Sequence, residues 1–432
     1  MQRIAQDVYT GKLSGYLYDQ RTYLQDSVYE SFSRGSMIPD DIRADFPLLS
    51  KVCYLDSAAT SLSPEPVLEA MLAYEHDFRA NSGRGVHRLA QQASQKYRDA
   101  HVKVRKFIHA DEGELVFTRN STEAINMVAS GLPWQKGDQV ITTLLEHHSN
   151  LLPWMRLRDR QGSDLGLITP GTDGTLDPAA LEAIISRKTR LVAVTQTSNV
   201  LGNVVPIREF AGICQDYGAL LLVDGSQSVP HIPVNVEHLG CDFLCFSGHK
   251  MLGPTGTGVL YMKKSGLEPL LVGGGSVERV TASGYTLTEG YERYEAGTPN
   301  IAGAIGLARA VEYLEALGMD DIRYHEQQLT RRIINDLTGI ENVQVFGPGS
   351  EGDRIGVISF AIKGLNPHDV AIMLDGEANI MVRSGHHCCM PLMDHLNLPE
   401  GTVRASLHCY NTPEDADLFV DSVRKIAGDF KR

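Results

Sequence analysis

What most constrains this chain is an alternation that begins near residue 50, in which short β-branched or apolar runs are separated by longer amphipathic stretches. ELVFT (114–118), QVITT (139–143), RLVAVT (190–195), ALLLVD (219–224), DFLCFS (242–247) and GVLYM (258–262) predict strands. Helical segments at 121–131, 150–161, 179–185 and 207–217 each follow one of these or a similar run. Repeated strand–helix succession specifies an α/β fold with a mainly parallel sheet, because each crossover helix returns the chain to the end from which the strand began. After EAGTPN (295–300) the text changes to a helical stretch from 301 to about 337, then VQVFG, IGVISFAI, IMVRS and VRASL, then a helix from Thr412. That is a smaller α+β lobe. Length agrees, since 432 residues exceed the roughly 250–300 that one core organises. The expected organisation is an N-terminal arm over 1–35, a large domain over 50–305, and a small domain built from 36–49 with 306–432.

Charge narrows the function. Lys+Arg 40 against Asp+Glu 53 leaves −13, whereas a phosphate backbone requires clustered positive charge, so a nucleic-acid partner is not expected. No apolar run approaches the roughly 20 residues of a membrane span, and MQRIAQDVYTGKL lacks the apolar core of a signal peptide. A cytoplasmic protein with no membrane partner is the expectation. The seven cysteines have no framework spacing, which suits free thiols in a reducing compartment. Cys241 and Cys245, in CDFLCFS, read as core residues of a strand rather than metal ligands.

Two strand ends carry chemistry. Asp224 closes ALLLVD and Lys250 lies just beyond DFLCFS, and in open α/β sheets ligands bind at the carboxyl ends of strands. A lysine that condenses with an aldehyde and an Asp that keeps a pyridine nitrogen protonated are what pyridoxal phosphate needs. Each alone has an ordinary reading, the Asp as a helix cap and the lysine as a solvated turn residue. Ser121 and Thr122 open a helix after ELVFT, where backbone N–H groups, hydroxyls and the helix dipole favour an anion, although a simple N-cap would look the same. EHHSN (146–150) follows QVITTLL and offers an imidazole to stack on a flat cofactor. In MVRSGHHCCMPLM (381–393), Arg383, His386 and His387 flank Cys388 and Cys389, either of which is a candidate thiolate nucleophile. A metal held by four consecutive residues is the poorer alternative, because such neighbours cannot easily converge tetrahedrally, and no metal is expected.

DSAATS (56–61), RNSTEAIN (119–126), EHHSN, DGSQSVPH (224–231), SGHKMLGPTGTGVLY (247–261), EAGTPN, RSGHHC (383–388) and RASLHCYNT (404–412) together resemble the group II, SUF-type cysteine desulfurases. These are class V aminotransferase-like, fold-type I pyridoxal-phosphate enzymes, and the resemblance runs from about residue 40 to the C-terminus. It implies a seven-stranded, mainly parallel sheet in the large domain. It implies Lys250 as the lysine bonded to the cofactor, Asp224 at the pyridine nitrogen, Gln227 at the ring oxygen and His147 stacked on the ring. Thr122, Ser247 and His249 would bind the phosphate, with Ser121 nearby and Thr298 supplied across a homodimer interface. Asn199 and Arg404 would hold the substrate carboxylate, with Arg84 and Arg383 on the substrate side, and Cys388 would carry the persulfide.

Two positions depart from the pattern. Gly83-Arg84-Gly85 stands where the family often has His-Arg-Gly, and Cys389 stands where a small residue usually follows the catalytic cysteine. A second thiol could accept sulfur, but a disulfide between neighbours is strained, so Cys389 is read as a bystander. The implied activity is conversion of L-cysteine to L-alanine, with sulfur passing through Cys388 to an acceptor, for example an iron–sulfur scaffold protein. Selenocysteine lyase or another class V enzyme is the alternative activity, and a non-catalytic scaffold that binds pyridoxal phosphate is the third reading.

Overall fold

The computed structural model describes residues 38 and 40–430 apart from residue 84, so the expected arm over 1–35 and Arg84 lie outside the described residues. Seven strands form the large sheet: β1 (Glu114–Thr118), β2 (Gln139–Thr143), β3 (Asp164–Ile168), β4 (Thr189–Thr195), β5 (Leu220–Asp224), β6 (Phe243–Ser247) and β7 (Gly258–Met262). Their order is β1-β7-β6-β5-β4-β2-β3, and β7 alone runs antiparallel to its neighbours.

Strands β4 to β7 read as nearly unbroken apolar runs because both faces are covered. Successive residues go to opposite cores: Val192, Val194, Leu221, Val223, Leu244 and Phe246 pack on one side, and Leu191, Ala193, Leu222, Phe243 and Cys245 on the other. Cys241 and Cys245 are buried, free thiols within this packing. The helices that matter most for the site are α1 (Ser121–Gly131) and α2 (Leu152–Gln161), which follow β1 and β2.

Beyond the sheet, α3 (Ile301–Leu317) and α4 (Met319–Thr338) divide the long helical stretch at Gly318, whose φ of 85° no helix interior accepts. The smaller sheet is wholly antiparallel, with β8 (Val343–Phe346), β9 (Val357–Ile362), β10 (Arg383–Gly385) and β11 (Thr402–Ser406) in the order β8-β9-β11-β10. Its core includes Phe360, Ile380, Val403, Phe419 and also Leu55, while Ile42, Phe46 and Leu49 pack into the core of the large sheet. The predicted strand IMVRS divides: Ile380 and Met381 pair with Cys53 and Tyr54, and Arg383–Gly385 pairs with β11. Sequence patterning does not draw the helices Glu65–Asp77 and Arg88–Phe107, nor the exposed hairpin Val277–Thr281 with Gly284–Leu287.

Candidate active site

The carboxyl ends of β4, β5 and β6 open into a cavity of about 180 Å³ lined by Ala58, Ala59, Asn120, Ser121, Thr122, His147, Asn199, Asp224, Ser226, Gln227, Ser247, His249, Lys250, Arg383 and Arg404, among others. Asp224 is the last residue of β5 and is buried, with one carboxylate oxygen accepting from the Ser226 N–H at 2.9 Å. Lys250 ends the single 3-10 turn after β6 and keeps some surface along the cavity wall. Burial pushes its amine down to about 8, and the positive charges of Arg404 and Arg383 add to this against the attraction of Asp224. An amine so poised is deprotonated far more readily than a surface lysine.

At the other end of the cavity, the N-cap of α1 is Asn120, whose Oδ1 accepts from the Glu123 N–H at 3.0 Å. Ser121 and Thr122 therefore do not cap the helix. The Ser247 hydroxyl lies 3.0 Å from the Ser121 hydroxyl and accepts from the Ser121 N–H at 2.9 Å, and Thr122 Oγ1 meets Ser149 Oγ at 2.7 Å. Hydroxyls and a helix start thus gather at one spot, which suits a phosphate. Gly258 permits this geometry, because a Cβ there would lie 2.5 Å from the Asn120 backbone.

His147 is half-buried, and its Nδ1 accepts from the Ser149 N–H at 3.1 Å. Burial first, then the neighbouring Lys250, pushes this imidazole down to about 3, so it presents a neutral face. His249 is held neutral in the same way, down to about 4.

Arg404, on β11, is buried and donates from Nη1 to the Asn199 carbonyl and from Nη2 to Asp56 Oδ1, both at 3.0 Å. Its Nε has no hydrogen-bond partner among the described residues. For Asp56 the penalty of burial outweighs the attraction of Arg404, and its carboxyl sits above the usual range. Sequence patterning alone assigns Asp56 no role. Its signal there is its place at the head of DSAATS, but its partner lies 348 positions away.

Cys388 is half-exposed, and Arg383, which lines the cavity, places its Nη2 3.7 Å from the Cys388 sulfur. His387 and Cys388 both adopt left-handed backbone, φ 51° and 58°, which costs a non-glycine residue about 1–2 kcal/mol. Anchors hold the turn: His148 N–H donates to the Cys388 carbonyl at 2.7 Å and Asn199 Nδ2 to the His387 carbonyl at 2.9 Å. The two histidines expected beside the thiol face elsewhere. His387 Nε2 is 2.9 Å from Thr402 Oγ1 and His386 Nε2 is 2.8 Å from the Pro399 carbonyl, so Arg383 supplies the positive charge at the sulfur. Cys389 is fully buried against Asn199, and His386, His387 and Cys389 thus point to three separate partners.

Thr298 lies apart from this group. It lines a second cavity with Tyr97, Phe117, Thr257 and Asn300.

Together these groups line one polar cavity that brings a buried carboxylate, an amine of lowered proton affinity, two guanidinium groups and a hydroxyl-bearing helix start to the strand ends. The chain belongs to the aminotransferase class-V family, whose pattern matches residues 53–419. Its relatives include proteins named cysteine desulfurase or probable cysteine desulfurase. It is 47% identical over 395 residues to a probable cysteine desulfurase of Pyrococcus abyssi, covering 90% of this chain and 98% of the relative. It is 42% identical over 403 residues to the cysteine desulfurase of Escherichia coli O127:H6, covering 90% and 98%. Among solved structures, the apo cysteine desulfurase of Thermococcus onnurineus NA1 superposes with a TM-score of 0.88 at 46% identity, covering 91% of this chain and 99% of that one. Escherichia coli CsdA with an S-sulfonic acid gives 0.83 at 33%, covering 90% and 97%. The mainly parallel seven-stranded sheet with its smaller antiparallel companion is the architecture these comparisons share with the sequence expectation.

Proposed function

We propose that this chain is a cytoplasmic, homodimeric, group II cysteine desulfurase that holds pyridoxal phosphate on Lys250 and receives sulfur on Cys388. One observation supports it above the others: a thiol in a strained turn is touched by Arg383, a residue that lines the same cavity as Lys250, Asp224 and Arg404. The residues present fit the cofactor. Ser226 Oγ and Gln227 Oε1 are buried in this polar cavity without hydrogen-bond partners among the described residues, which is costly unless a ligand completes them.

When bound, pyridoxal phosphate supplies an aldehyde that condenses with amines and a ring that stores electrons. Asp224 would hold the proton on the ring nitrogen, Gln227 would lie at the ring oxygen, and neutral His147 would stack on its face. Ser121, Thr122, Ser247 and His249 would grip the phosphate at the α1 N-terminus, with Thr298 reaching the site of a second copy of the chain. Arg404 and Asn199, with Arg383 and Arg84 on the substrate side, would orient the carboxylate of L-cysteine. Lys250, with its lowered proton affinity, would take the α-proton and return protons to the product. Cys388, with Arg383 beside its sulfur, would attack the substrate sulfur as thiolate. The S–S bond forms as the C–S bond breaks, and the bonding pair stays with the substrate carbon, which leaves as L-alanine after protonation. The products are L-alanine and a Cys388 persulfide, and the half-exposed sulfur is then open to an acceptor such as an iron–sulfur scaffold protein.

Alanine and sulfide release from cysteine, with a reductant to clear the persulfide, tests this reading. Lys250→Ala and Cys388→Ala should each abolish cysteine turnover. If Cys388→Ala instead retains full turnover with selenocysteine, the selenocysteine lyase reading replaces it.

A further inference from the structure

Cys389 follows the candidate nucleophile yet takes no part in the chemistry proposed above. It is fully buried, and desolvation, with smaller repulsion from Glu146 and Cys388, holds its thiol protonated. A buried, protonated thiol is a donor rather than a nucleophile. Its nearest acceptor is Asn199 Oδ1 at 3.2 Å, with the Glu146 carbonyl at 3.4 Å and the Leu145 carbonyl at 3.8 Å.

The other end of the same amide faces the His387 carbonyl, 2.9 Å from Nδ2. A main-chain carbonyl can only accept, so the NH₂ must be on that side and the amide oxygen on the side of the thiol. Turned over, the amide would set oxygen against oxygen. The Asn199 main chain is in turn held by Arg404 Nη1, and Asn199 lines the cavity. Arg404, Asn199, Cys389 and the His387–Cys388 turn thus form one unbroken chain of hydrogen bonds and peptide bonds.

We propose that Asn199 and Cys389 form a latch between the substrate end of the cavity and the thiol loop: the Cys389 S–H fixes the Asn199 amide, and the amide holds the left-handed turn that presents Cys388. Cys389 is then a positioning residue and not a second sulfur carrier. The latch deepens the desulfurase reading, but its test also runs on resting protein.

Wild type, Cys389→Ala and Cys389→Ser holoenzymes are treated with iodoacetamide, and alkylation at each cysteine is followed by mass spectrometry. In parallel, kcat and KM for cysteine are measured. Loss of one hydrogen bond should speed Cys388 alkylation in Cys389→Ala by about five-fold and lower kcat/KM by a similar factor. Cys389→Ser keeps a donor and should stay within about two-fold of wild type. Asn199→Asp, which opens no space beneath the loop, should likewise expose Cys388, because an acceptor then faces the His387 carbonyl. Wild-type Cys388 alkylation in both Cys389→Ala and Asn199→Asp would overturn the latch. So would alkylation of Cys389 in native wild type, or sulfur carried by Cys389 after cysteine treatment. If wild type makes no alanine from cysteine while the alkylation pattern holds, the desulfurase reading fails and the latch stands.

Discussion

Burial sets the proton affinity of Lys250 near 8, where an unfolded chain would have the ordinary lysine value of about 10.4. Between these values the unfolded chain carries a proton that the folded one has released, so this residue adds stability as pH rises through that window. Below about 8 the folded protein must bury a charge. The cofactor-free protein should therefore gain stability between pH 8 and 10, and Lys250→Met should remove that part of the pH dependence in urea denaturation. An unchanged slope would place the amine in water. Trapping an added aldehyde on the apoprotein with borohydride should show the matching rise in rate as pH increases through about 8. Beside Cys388, Arg383→Ala should slow single-turnover persulfide formation by about ten-fold or more, because a charge-assisted contact worth about 1.5–3 kcal/mol is lost. At this scale much of the site was legible. Lys250 and Asp224 stand at strand ends, and Cys388 lies in a dense His–Cys cluster, so local text marks them. The pairings of Asp56 with Arg404 and of Asn199 with Cys389 leave no local mark, because each depends on a partner far along the chain.

The elements carry the site through their ends. The N-terminus of α1 faces the cavity because Asn120 takes over capping, so the Ser121 and Thr122 hydroxyls are not used as caps and meet Ser247 and Ser149 at the cavity wall instead. Asn120→Ala should cost about 1 kcal/mol in chemical denaturation and should also weaken retention of pyridoxal phosphate on dialysis. Loss of stability without any change in retention would separate the cap from the phosphate site. Central strands were visible in sequence because continuous apolar runs belong to strands buried on both faces. The edge strand β3 lacks that signal, since much of Asp164–Ile168 is exposed and its text, DLGLI, is short and mixed. The division of the 301–338 helix depends on one glycine, and tertiary contacts rather than periodicity decide how IMVRS is shared between two pairings.

Across the molecule, a buried cluster joins three chain segments, two of which also carry site residues. His231 follows β5, Glu326 lies on α4 and His408 follows β11, with His231 Nδ1 3.0 Å and His408 Nδ1 3.8 Å from Glu326 Oε1. Burial pushes Glu326 up to about 8 and both imidazoles down to about 3, so the group is held as neutral acid and bases. Glu326→Ala would leave buried imidazoles without their partner and should cost about 3 kcal/mol in urea denaturation, with Glu326→Gln costing less. Equal stability of all three proteins would remove this cluster from the account.

The central claim is that sulfur leaves cysteine for Cys388. Treating the holoenzyme with L-cysteine, quenching without reductant and mapping sulfur by mass spectrometry tests it most directly. One extra sulfur atom on Cys388, with one alanine formed for each, is the expected result. Alanine released while Cys388 stays unmodified, with Cys388→Ala turning over cysteine at the wild-type rate, would contradict it.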